Sequence, residues 1–196
     1  MKKTQTESLK IICLIPARGG SKRLPNKNLY PLFGKSLLQW AIEGCLESRY
    51  LNYENIYVSS EDSAIQEVAS KIGVNVIPRP NYLSQDHIWT QDVLIHASDY
   101  LEEHGINYDL MVRVQANSPQ IKGSKIDESI EKLKDYKLWE IFSVNGDGIE
   151  DAAIHVLLRK CVYQKALSVY KGVVFTNYID VHTEKDINEI KMLWSQ

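Results

Sequence analysis

The chain has 196 residues, 44% of them apolar and 24% charged, with a formal net charge of -2. That length buries a continuous core without metal or disulfide staples, and the near-neutral charge excludes a general nucleic-acid or membrane-surface binder, which carries a basic excess. Cys13, Cys45 and Cys161 are scattered, odd in number and lack a CxxC pair, which excludes a disulfide framework and structural zinc and points to a reducing compartment.

Residues 1–9 are polar, lack the apolar run of a signal peptide and read as a flexible tail. With no stretch long enough to span a membrane, the expectation is a cytoplasmic protein without membrane or nucleic-acid partners. Lys10 to Ile15 is a continuous apolar run, as in a strand buried on both faces. A loop rich in Gly, Pro and basic residues follows. Ser36 to Leu46 places Leu37, Leu38, Ala41, Ile42 and Cys45 at helical spacing, with Ser36 as cap.

Asn55 to Ser59 is the second predicted strand, Asp62 to Lys71 a helix ended by Gly73, and Val74 to Ile77 a strand stopped by Pro78 and Pro80. Thr90 to Glu103 is predicted helical, Leu110 to Val114 a strand, Lys125 to Lys134 a helix, Ile141 to Val144 a strand, and Glu184 to Leu193 a closing helix. Residues 146–176 show no clean period and are expected to form a small irregular appendage on a single domain spanning 10–196. Alternating strands and helices predict an α/β fold with a three-layer, mostly parallel sheet. Ligands of such sheets sit beyond the carboxyl ends of the strands, so the loops after Ile15, Ser59, Ile77 and Gln115 should form the site.

The loop after the first strand carries Ala17, Arg18, Gly19, Gly20, Ser21, Lys22, Arg23, Lys27 and Asn28. Glycines admit a phosphate close to the backbone, and Arg18, Lys22 and Lys27 supply charge-assisted donors. The spacing is neither GxxxxGK[ST] nor GxGxxG, so P-loop and dinucleotide readings fail. Of the remaining candidates, Trp89 is read as packing and His96 as a core-edge histidine.

This loop, ARGGSKRLPNKN, resembles the nucleotide-binding loop of the acylneuraminate cytidylyltransferases. Val58 to Asp62, Arg79-Pro80 with Leu83 to Asp86, Val114 to Pro119 and Tyr178 to Asp186 resemble further family segments. The resemblance implies a Rossmann-like nucleotide-diphospho-sugar transferase fold and transfer of CMP from CTP to a small acidic sugar, with Mg²⁺ as cofactor and a homodimer in keeping with the family's habit. It implies that Ala17, Arg18, Gly19, Gly20, Ser21, Lys22, Lys27 and Asn28 hold the nucleotide, with Arg18 and Lys27 acting in catalysis. Arg79 and Thr90 would read the cytosine, Asp86 would hold their loop, and Gln115, Asn117 and Ser118 would meet the acceptor. Asp180 would bind the metal and act in catalysis, with His182 beside it.

Three departures keep alternatives open. His182 stands where the family usually has a second aspartate, and imidazole is a poor Mg²⁺ ligand. Asn117 replaces a threonine, and the stretch toward the acceptor and dimer region has no match. A different acceptor, such as a sugar phosphate or phosphonate, and a non-catalytic CTP-binding homologue are therefore the rival readings.

Overall fold

The computed structural model describes Leu9 to Ser195, so the predicted tail at 1–9 lies almost wholly outside the described residues. In chain order the elements are β1 (Ile11–Pro16), β2 (Pro31–Leu32), β3 (Lys35–Ser36), α1 (Leu37–Leu46), β4 (Ile56–Ser60), α2 (Ser63–Ile72), β5 (Asn75–Pro78) and α3 (Thr90–Glu103). There follow β6 (Leu110–Val114), α4 (Gly123–Asp135), β7 (Glu140–Val144), β8 (Glu150–Leu158), α5 (Arg159–Val162), β9 (Lys171–Phe175) and α6 (Glu184–Trp194). Seven strands form one sheet in the order β5-β4-β1-β6-β8-β7-β9, and β2 and β3 form a small hairpin.

Helix starts follow local chemistry. Ser36 and Gln39 make a reciprocal capping box on α1, and Asp62 accepts the N–H groups of Ala64 and Ile65 at the start of α2. Gly73 ends α2 with a left-handed φ of 97°, which a Cβ would disfavour. Apolar side chains then divide by strand alternation. Cys13 and Ile15 of β1 join Val112 and Val114 of β6 against α1, α2 and α4. Ile12, Leu14 and Met111 face the other way, against Leu94, Ala97 and Leu101 of α3 and Val162 of α5. The result is three layers with the sheet in the middle. A third cluster packs Ile187 and Ile190 of α6 on Leu24, Leu32 and Leu37, closing the C-terminal helix over the basic loop and the hairpin.

One expectation is corrected. Residues 146–176 are not an appendage: they supply β8 and β9, and β8 lies inside the sheet between β6 and β7. β8 pairs antiparallel with both neighbours, whereas the other sheet strands pair in parallel. Its period is hidden by the turn-like Ala152 (φ 56°), by a register irregularity opposite Phe142 and Val144, and by the buried His155. β9 pairs only with β7 and exposes Val173 and Phe175, so it too lacks the continuous apolar run of a central strand.

Because β1, β4, β5, β6, β7 and β9 run the same way, their carboxyl ends share one edge of the sheet. The loops 17–28, 61–62, 79–90 and 115–119 and the segment 176–183 leave from that edge. Among the described residues no helix is long and apolar enough to cross a membrane.

Candidate active site

A cleft of about 540 Å³ opens at this edge. Arg18, Gly20, Ser21, Lys22, Arg23, Lys27 and Asn28 line one wall. Arg79, Leu83, Gln85, Asp86, Ile88, Thr90 and Val93 line another, and Arg113, Gln115, Asn117 and His182 close the floor. The structure therefore gathers most of the predicted site residues into one cavity. Ala17, Gly19, Ser118 and Asp180 are not in its lining.

The basic loop is folded by its own polar groups. Asn28 is buried and donates its amide to the carbonyl of Arg18 at 2.9 Å, so it shapes the loop from behind. Gly19 is required by close approach, since a Cβ there would lie 2.2 Å from the Asp62 carboxylate. Its N–H donates to Glu61 Oε1 at 2.8 Å and is thus engaged within the protein. Gly20 is exposed with open space around it, leaving its backbone free for a ligand. Lys27 is held below the ordinary lysine range by burial and by Arg23 and Arg18, against a partial offset from Asp180 and Asp186. An incoming phosphate would reverse that shift, because an anion beside an ammonium favours its charged form.

Glu61 joins two walls of the cleft. Besides Gly19 it accepts Arg79 Nη2 at 2.8 Å and Ser84 Oγ at 2.6 Å. Burial raises its pKa, but the bonds from Ser84, Arg79 and Gly19 outweigh this and hold the carboxyl below its ordinary range. The Arg79 side chain is only 4% exposed; its Nη2 pairs with Glu61, its buried Nε has no partner, and it lines the cleft. Asp86 bridges Arg18 (2.9 Å) and Lys22 (2.5 Å), clasping the basic loop to the loop before α3. The hydrogen bonds from Lys22 and Arg18 push its pKa down. Thr90 opens α3 at the rim. Trp89, read as packing, is instead 78% exposed, so that reading is corrected.

Asp180 is a hub for the C-terminal segment. Its Oδ1 accepts the amides of Gln115 (3.1 Å) and Asn117. Its Oδ2 lies 2.8 Å from His182 Nε2, and Arg23 Nη2 lies 3.0 Å from His182 Nδ1. A guanidinium can only donate, so Nδ1 accepts and Nε2 carries the proton given to Asp180. Asn117 also exchanges bonds with the backbone of Val181, its amide donating to the Val181 carbonyl (2.7 Å) and its own carbonyl accepting the Val181 N–H (3.1 Å). Asp186 accepts the N–H groups of His182 and Thr183 at the start of α6 and so caps that helix.

By themselves these residues do not complete a Mg²⁺ centre. Asp180 Oδ1 already accepts two donors and Oδ2 one, which leaves a single lone-pair site on Oδ2, His182 presents a donor and not an oxygen, and no group of three metal-ligating side chains occurs among the described residues. Ser118, expected to meet the acceptor, is fully buried with its hydroxyl unpartnered, and it stands behind Asn117.

Two contributors were missed from sequence, and a third, Arg23, was read only as one of the loop's cations and not as a partner of His182. Glu61 sits within a quoted segment but acts through side-chain partners that spacing does not show. Arg113 offered a signal, because a lone cation inside the buried run Leu110 to Val114 must be paired or serve a ligand.

A protein-family model described as Cytidylyltransferase matches residues 12–169. The pseudaminic acid cytidylyltransferase of Campylobacter jejuni is 34% identical over 126 residues, covering 64% of this chain and 53% of the relative. The N-acylneuraminate cytidylyltransferase of Streptococcus agalactiae is 32% identical over 135 residues, covering 69% of this chain and 32% of the relative. This chain thus matches about half of the first relative's length and about a third of the second's. A solved structure of CMP:2-keto-3-deoxy-manno-octonic acid synthetase complexed with CTP superposes with a TM-score of 0.73 at 18% identity, covering 95% of this chain and 99% of that one.

Proposed function

The chain belongs to the cytidylyltransferase family, and on that premise we propose that it transfers CMP from CTP to a small acidic sugar with release of pyrophosphate. The observation that carries the reading is that one cleft is lined both by the cations Arg18, Lys22, Arg23 and Lys27 and by the polar groups of Gln115 and Asn117. Such a cleft accepts a triphosphate and a polyhydroxylated acceptor side by side. The relatives named for acidic-sugar cytidylyl transfer support the acceptor class.

In this account the acceptor hydroxyl attacks the α-phosphorus of CTP, its proton passes to water, the bond from that phosphorus to the bridging oxygen breaks, and pyrophosphate leaves. The chain's own groups position and neutralise. Arg18, Lys22 and Lys27 bind the phosphates, and Lys27, already partly desolvated, stabilises charge that grows on the leaving oxygens. Removing one such donor from a preorganised site typically costs about 10²–10³ in kcat. Gly20 lends a free backbone N–H. Gln115 and Asn117, fixed through Asp180, orient the acceptor. If Mg²⁺ takes part, Asp180 would hold it through the site left on Oδ2, with water and phosphate oxygens supplying the remaining ligands and the metal neutralising phosphate charge.

Formation of a CMP-sugar of the expected mass from CTP and an acidic sugar tests the assignment. A CMP-linked sugar phosphate or phosphonate would establish the rival acceptor class. His182 in place of a second carboxylate is the observation favouring a CTP-binding homologue without turnover, and CTP binding with no product from any acceptor would establish it.

A further inference from the structure

Arg113 is the one residue on the floor of the cleft that the roles above leave unused. It is 8% exposed, and no described carboxylate pairs with it. Its Nη1 donates to the carbonyl of Ala152 and to Gln115 Oε1 (3.4 Å), both neutral acceptors, and its Nε has no partner. The Ala152 carbonyl is presented by a left-handed residue (φ 56°) in β8, the antiparallel strand beside β6. The irregular backbone of β8 therefore fixes a guanidinium that has no ion-pair partner among the described residues, with Glu150, Asp180 and Asp151 offsetting part of the cost of its burial only from farther off. A buried cation held only by neutral oxygens is costly unless an anion joins it.

We infer that Arg113 anchors the carboxylate of the acceptor sugar, and so sets the preference for an acid over a neutral sugar. This rests on the proposed cytidylyl transfer. A planar carboxylate matches the guanidinium fork, and the phosphates of CTP already have the four cations of the basic loop. Arg113 comes from β6, two residues before Gln115 and four before Asn117, which places it on the acceptor side of the cleft.

The test compares wild type, Arg113→Gln and Arg113→Lys in pyrophosphate release from CTP. The probes are N-acetylneuraminic acid, pseudaminic acid and 3-deoxy-manno-octulosonic acid, each beside its methyl ester. A hydrogen-bonded charge pair predicts that Arg113→Gln raises the KM for the acid by about ten- to a hundredfold. The KM values for the ester and for CTP should stay unchanged, and lysine should restore part of the loss. Unchanged KM for CTP also shows that the variant folds. An acid-to-ester preference that survives in Arg113→Gln overturns the inference, as does a rise in the KM for CTP alone, which would make Arg113 a phosphate contact. If wild type releases no pyrophosphate with any probe, the proposed reaction fails separately. Calorimetry of the same acids with the CTP-loaded protein then decides the anchor: binding lost in Arg113→Gln supports it, and binding unchanged or absent in wild type overturns it.

Discussion

Glu61 Oε2 and Arg79 Nη2 stand 2.8 Å apart in a pair that is almost wholly removed from solvent, and the same carboxylate takes the N–H of Gly19. This one group ties the basic loop after β1 to the loop that leads into α3. Glu61→Gln leaves a buried guanidinium without its counter-charge and should cost about 3 kcal/mol of stability at neutral pH. The folded-state pKa of Glu61 is depressed, so its contribution is present above the unfolded carboxylate value, about 4.3, and is lost as pH falls through the folded value. Denaturant midpoints measured from pH 7 to pH 3 should fall more steeply for wild type than for Glu61→Gln. Parallel curves would remove Glu61 from the acid-sensitive set.

Arg18→Ala and Lys27→Ala should each lower kcat/KM for CTP by about 10²–10³ without shifting the denaturant midpoint appreciably. The partly buried Lys27 should show the larger loss in kcat, and the more exposed Arg18 the larger rise in the KM for CTP. Near-normal turnover in either variant would take the basic loop out of the reaction.

Asp86 pairs with Arg18 and Lys22, so in the proposed reaction it would compete with the triphosphate for these cations. Asp86→Asn should therefore tighten CTP binding by a few-fold, an effect that fades as salt screens the charges. Calorimetric titration with CTP at two ionic strengths checks this. Weaker binding in the variant would instead favour the loop-holding role that the family resemblance implies.

His182→Asp would restore two carboxylates at the spacing Asp180-x-182 and remove the donor that occupies Asp180 Oδ2. The Mg²⁺ concentration needed for half-maximal pyrophosphate release should fall at least several-fold. An unchanged Mg²⁺ profile would place any metal away from Asp180.

Much of this fold was legible because its signals are local. The helix Thr90–Glu103 and the strand Leu110–Val114 lie where periodicity and apolar runs place them, and Ser36, Asp62 and Gly73 mark helix ends by capping chemistry. β8 was not legible because its partners are distant in sequence and its alternation is broken by Ala152 and His155. The basic loop lies at the carboxyl edge of the sheet, where the strand order expected from sequence places it. The commitments of Glu61 to Arg79, of Asp86 to Arg18 and of Asp180 to His182 depend on loops meeting across the sheet edge, and spacing along the chain does not show them. Arg113 lay in plain view as a charge within a buried strand, but its lack of a carboxylate partner appears only in three dimensions.

The central claim is tested most directly by pyrophosphate release from CTP in the presence of Mg²⁺, across acidic sugars and sugar phosphates, with UTP, ATP and GTP as controls. The account predicts release that requires both CTP and one acidic sugar, and that falls about 10²–10³-fold in Lys27→Ala. Release with a sugar phosphate but with no acidic sugar, or equal release from all four nucleotides, would contradict it.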